Sequence, residues 1–220
     1  MNNNDIIENK DLTEFMLAMI DNHNPEWTGD VEVHDSVNLS AIPTYQTAVV
    51  VRPPFPSKDW TLPITLSWIF DGAEVLELNA ADEPFSWELD ITLTLLPTKP
   101  QNVPVENGMD FYGRLIEALN NHEPLMWMSP DQFDAKLLGQ EHYIPPVFYS
   151  AKIVPIIEAE PKAAPLFVGI NFEATARIHF DDDWTPTDQT IGQTVVMFQA
   201  LERFVVNVAD VLDGLTPLPR

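Results

Sequence analysis

Asp181, Asp182 and Asp183 follow His179 after a single phenylalanine and form the densest acidic run in the chain. Hard cations take carboxylate oxygens, so such a run is the first place to look for an ion site. Three successive side chains converge on one ion only where the backbone loops around it, and no glycine stands in the run. A solvated turn leaving a long strand accounts for the run better. Glu141 beside His142, and His122 beside Glu123, point different ways on any regular element. Five histidines without paired spacing carry no metal signature. Glu88 and Asp90 share one face of any strand that holds them, with Thr92 and Thr94 beyond. Two carboxylates so placed could work as acid and base. The alternation itself makes them, more simply, a solvent face or a set of cross-strand contacts.

Trp60, Trp68, Trp87 and Trp127 could stack on bases or sugars. The formal net charge of −23 speaks against nucleic acid, whose phosphates need clustered Lys and Arg. Core packing and subunit contacts are the default for these rings. The chain has no Gly-rich phosphate loop, no Gly-x-Ser-x-Gly elbow and no His-Glu-x-x-His. With no cysteine, it offers no disulfide, thiolate metal site or Cys nucleophile. No nucleophile stands beside its base. The residues therefore predict no catalytic group, no cofactor and no metal, and a protein that is not an enzyme.

These side chains sit in 220 residues, enough for one large domain or two small ones. At 45% hydrophobic and 10% aromatic, the composition supplies a core. There is no run of about 18 apolar residues. Residues 1–8 have neither a basic start nor an apolar stretch, which argues against a cleaved secretory signal. The expectation is an acidic protein of a cytosol with no membrane partner.

The first ten residues are polar and predict a loose segment. Asp11 opens a helix as a capping-box variant with Glu14, and Leu12, Phe15, Met16, Met19 and Ile20 form its apolar stripe. Strands are predicted over 31–39 and 44–51, the second stopped by the prolines at 53, 54 and 56. Residues 62–70 fit two periods. Leu62, Ile64, Leu66, Trp68 and Phe70 alternate as a strand, with Asp71-Gly72 as a hairpin turn, while Leu62, Leu66, Ile69 and Phe70 fit a helix. Residues 85–95 alternate without a fault and predict a strand with Phe85, Trp87, Leu89, Ile91, Leu93 and Leu95 on the core face. Residues 97–108, with three prolines, are the candidate boundary between two lobes.

A helix is predicted over 110–121, and a short one over 129–139 with Ser129 as cap and Pro130 first. Long strands follow over 147–157 and 168–180. The last helix runs from 189 to 212 on Ile191, Val195, Phe198, Leu201, Val205, Val208 and Leu212, and Gly214 ends it. This order predicts an α+β fold: a mixed or antiparallel sheet packed by amphipathic helices, with a long C-terminal helix.

The opening helix, the strands at 31–39 and 44–51, the proline-broken exit, the run 62–68 and the acid–aliphatic alternation of 87–95 together resemble the tail completion (tail terminator) proteins of contractile-tailed bacteriophages. The resemblance covers about residues 10–98. It implies that 62–70 is helical and that residues 1–100 form a tail-terminator-like region. Residues 101–220 would then be an additional α+β lobe or an elaboration of the same sheet. It further implies a virion protein of the tail and neck, assembled in the host cytoplasm. Such a protein forms a six-fold homo-oligomeric ring on the tail tube, ends tube growth and joins tail to head connector. Its partners would be tube, sheath and connector proteins, with DNA passing through unbound. The family has no catalytic residues to carry over.

The Pro-rich loop at 52–63 with Phe55 and Trp60, together with Trp68, is the expected subunit contact, since its prolines hold it extended at little entropic cost. The charge of −23 allows a second class, an acidic inhibitor or DNA mimic that occupies a host nucleic-acid enzyme. Against it, the acids are dispersed among aromatic core residues.

Overall fold

The computed structural model describes residues 9–35, 44–71, 86–99, 101–122, 147–159, 161, 163–180, 186–216 and 218. Its elements in chain order are α1 (Asn9–His23), β1 (Thr28–Asp35), β2 (Thr44–Arg52), β3 (Trp60–Thr61), β4 (Ile64–Asp71), β5 (Ser86–Pro97), β6 (Val103–Pro104), α2 (Val105–His122), β7 (Val147–Glu158), β8 (Leu166–His179) and α3 (Asp188–Gly214). The fold is α+β, an antiparallel sheet of eight strands packed by helices, the longest at the C-terminal end.

The sheet runs β1-β2-β4-β5-β8, and every pairing is antiparallel. Beyond β8 lies β7. Val103 and Ile157 both pair with Phe167, so β6 and β7 flank β8 on opposite sides and β6 continues the line of β5. Among the described residues, β1 and β7 are the outer strands of the sheet.

Alternation sorts the two faces. On β5, Trp87, Leu89, Ile91, Leu93 and Leu95 are buried. Register carries that burial across the sheet. Val51 lies opposite Ile64, Ile64 opposite Leu93, and Leu93 opposite Phe172; the next row is Val49, Leu66, Ile91 and Ala174. The helices cover these rows, with Leu12, Met16, Met19 and Ile20 from α1 and Phe198, Leu201, Phe204 and Val208 from α3 in the same core. Phe172 of β8 meets Phe204 of α3 edge-on, centroids 5.1 Å apart.

Residues 64–71 settle the double periodicity, and they depart from the resemblance. They form a strand paired on one side with β2 and on the other with β5, not a helix. Ile64, Leu66 and Trp68 alternate into the core, and Pro63 stands just before the strand, outside the ladder. Ile69, which a helix would have placed on the apolar stripe, is 68% exposed.

Helix α2 starts at Val105, five residues before the expected Asp110. Gly108, a weak helix former, sits in this first stretch because Phe167 of β8 presses on it. A Cβ there would lie 2.1 Å from the Phe167 ring. Strand β1 begins at Thr28 and not at Val31. On α3, Ile191 was expected in the stripe but is 38% exposed, because the first turn buries Thr190, Gln193 and Thr194 instead. The short helix expected over 129–139 lies outside the described residues.

Candidate functional site

The face of the sheet turned away from the helices is polar and charge-paired. Opposed residues of β5 and β8 are Glu88 with Arg177 and Asp90 with Thr175. Arg177 donates from Nε to Glu88 Oε1 at 3.2 Å and from Nη2 to the same oxygen. Thr175 Oγ1 donates to Asp90 Oδ1 at 2.8 Å. Lys152 of β7 meets Glu173 of β8 at 2.9 Å, and Arg52 of β2 pairs with Asp30 of β1. Such exposed pairs each contribute about 0–1 kcal/mol and fix register more than stability. Glu88 and Asp90, weighed as an acid–base pair, are thus cross-strand contacts tied to Arg177 and Thr175.

The two outer strands each expose an aliphatic side chain. Val31 on β1 is 40% exposed and Ile157 on β7 is 45% exposed. A row of unpaired backbone groups beside such a side chain is a template for another strand.

The three residues expected at a subunit contact lie mainly inside the protomer. Trp60 is buried and stacked on Phe111 of α2, and Trp68 is buried edge-on against Trp87 at 5.1 Å. Phe55 is half-buried against the same core. Trp87 also packs near Phe15 and Phe180, so its ring belongs to the core as well. The tryptophan rings have little surface left for a neighbour, while Phe55 keeps part of its ring exposed.

At the entry to α3, Thr187 caps the helix and exchanges hydrogen bonds with Thr190, a capping box. Thr190 Oγ1 donates to the His179 carbonyl at 2.9 Å, and Gln193 Oε1 accepts from the His179 backbone N–H at 2.8 Å. The carboxamide is thereby oriented with its NH2 toward His179 Nδ1, 3.3 Å away. Nδ1 must accept, so the imidazole is neutral with its proton on Nε2. Turning the carboxamide over would favour the charged ring but would strip the His179 N–H of its acceptor. Burial first, and the charge of Arg177 second, hold the His179 pKa below its ordinary value.

A cleft of about 400 Å³ opens where the α1–β1 turn, the loop after β2 and the outer face of α3 meet. Asn24 N donates to the Ile20 carbonyl at 2.8 Å and Trp27 N to the Asn24 carbonyl at 2.9 Å, which folds the turn tightly. Trp27, Pro53, Pro54, Val205 and Val206 supply apolar walls; Glu26 and Glu202 are also in the lining. Asn24 is 7% exposed, and its Oδ1 accepts no hydrogen bond among the described residues. Nothing local in the chain points to this cleft, because its lining comes from three distant segments. The breakers Pro25, Pro53 and Pro54 marked only where the turns would fall.

Among the described residues, no group of three or more His, Cys, Asp or Glu side chains comes together as a metal site. Asp181, Asp182, Asp183, Trp127, Glu123, Glu141 and His142 lie outside the described residues. No described helix is long and apolar enough to cross a membrane. No family model, curated protein or solved structure matches the chain.

Proposed function

We propose that this chain is a structural assembly protein that closes into a ring, the role filled by the tail completion proteins of contractile-tailed phages. The observation that carries the proposal is the placement of Val31 and Ile157. They are two of six large hydrophobic residues exposed among the described residues, and they stand on the two strands that are outermost among those residues, at opposite sides of one sheet. The edges differ in sequence, so β1 of one copy meets β7 of the next. A contact between unlike patches, repeated, closes into a ring or runs on as a filament.

Strand addition would satisfy backbone groups along both edges and bury the two aliphatic side chains. The mixed, internally paired charges of the open face suit a wall past which DNA slides, since a wall without clustered cations has no counter-ion release to gain. The same pairing disfavours the DNA-mimic alternative, which needs a uniformly negative face. The resemblance contributes its element order at α1, β1, β2 and β5, and the strand at 64–71 is the point where this chain departs from it. Negative-stain imaging of the purified protein, alone and with tail tubes, tests the proposal. Class averages with rotational symmetry are expected, and single small particles under both conditions would refute it.

A further inference from the structure

The cleft between α1, the loop after β2 and α3 lies where Trp27 leads into β1, and its chemistry is one-sided. Its carboxylates and its one unsatisfied buried side-chain atom are acceptors. Glu26 and Glu202 are exposed carboxylates in the lining, and Asn24 Oδ1 is a buried carbonyl oxygen without a donor. Among the described residues no Lys or Arg lines the cleft, and His23 is the one lining side chain able to carry positive charge. The walls between these acceptors are flat and apolar, from the Trp27 indole and two consecutive prolines. Val206, one helical turn beyond Glu202, is 49% exposed and extends the apolar wall toward solvent.

We propose that this cleft binds an arginine side chain presented by a partner protein. A guanidinium carries five N–H donors in a rigid plane and has no acceptor, the complement of two carboxylates and an unsatisfied amide oxygen. Its flat, weakly hydrated faces lie against aromatic and proline surfaces, and its methylene stem runs along apolar walls such as Val206. Lysine fits less well, because a compact ammonium cannot reach separated acceptors in one plane. A volume of about 400 Å³ exceeds one side chain, so the residues flanking the arginine enter with it. The net charge of −23 draws such a basic partner in from a distance.

The test uses the full chain and a blocked amino acid, N-acetyl-arginine methylamide. Binding is followed through the Trp27 indole N–H resonance, with the uncharged citrulline analogue as control. The arginine compound is expected to shift that resonance saturably, with the citrulline analogue weaker by about tenfold or more, the ratio that one charge-assisted contact supplies. Glu26→Gln and Glu202→Gln replace exposed carboxylates and leave the fold intact, and each is expected to weaken binding severalfold. Asn24→Asp adds a charge at the floor and is expected to tighten binding if it folds, with the two Gln variants deciding if it does not. No saturable shift, equal binding of citrulline, or unchanged binding in both Gln variants would overturn the proposal. Each of these outcomes is independent of whether the protein forms rings.

Discussion

The indole of Trp60 lies parallel to the phenyl ring of Phe111, with centroids 5.1 Å apart and planes 6° from parallel. The contact ties the Pro-rich loop and β3 to α2, across the proline-containing stretch 97–108. Arg114 adds a cation near the same stack, its guanidinium carbon 6.0 Å from the Phe111 centroid. Both stacked side chains are nearly or fully buried. Trp60→Ala and Phe111→Ala should each destabilise the fold by about 3–5 kcal/mol through lost burial and the cavity left behind. A double-mutant cycle in urea should return a coupling of about 0.5–1.5 kcal/mol. Strictly additive losses would mean that the rings only fill space.

Two glycines of α2 should respond to the same substitution with opposite sign. Gly113 has open space where a Cβ would go, so Gly113→Ala should stabilise by about 0.5–1 kcal/mol through helix propensity. At Gly108 the Cβ would stand 2.2 Å from Phe167 Cβ, an atom fixed to the backbone of β8. Gly108→Ala should cost about 1–3 kcal/mol as the helix is pushed off the strand. Thermal melts of the pair decide this, and a stabilised Gly108→Ala would show that α2 does not press on β8.

His179 gives the fold an acid-sensitive joint. The folded chain holds it neutral with its pKa lowered, whereas the unfolded chain titrates it near 6.5. Below that value the unfolded state binds the proton more readily than the native state, so stability falls as pH drops. The contribution is fully present above pH 6.5 and is lost progressively as pH falls from there toward the folded pKa. Denaturation midpoints from pH 7.5 to 5 should therefore fall more steeply for the parent than for His179→Gln. Parallel curves would remove His179 from the acid response.

The sheet and its core were legible wherever one face is dry. Residues 86–95 alternate because every second side chain meets the helices, and that pattern needs no knowledge of the partner strands. Residues 62–70 could not be read the same way, because Leu62, Leu66 and Phe70 fit both periods. The ladder to β2 and β5 decided the matter, and such pairings lie far apart in sequence. Gly108 disguised the start of α2 for a related reason, since its cause is Phe167, on another strand. Core packing, the default for the tryptophans, holds at 60, 68 and 87; Trp60 and Trp68, also expected at a contact between subunits, are packed against Phe111 and Trp87. The cleft was invisible. Asn24, Pro53 and Glu202 become neighbours only after the sheet and α3 have formed.

The central claim is assembly through the two sheet edges, and sedimentation velocity across a salt series tests it most directly. Each copy carries a net charge of −23, so copies repel at long range while strand pairing and apolar burial act at contact. Salt screens the repulsion and leaves the contact intact, so rings should be favoured as ionic strength rises from low to moderate, opposite to a nucleic-acid complex. Ile157→Lys on β7 and Val31→Glu on β1 place charges at the contact and should each return the protein to monomer without changing its melting temperature. A protein that stays monomeric at every ionic strength, and in the presence of tail-tube ends, would contradict ring assembly. A species that grows with salt and is abolished by either edge substitution is the predicted result.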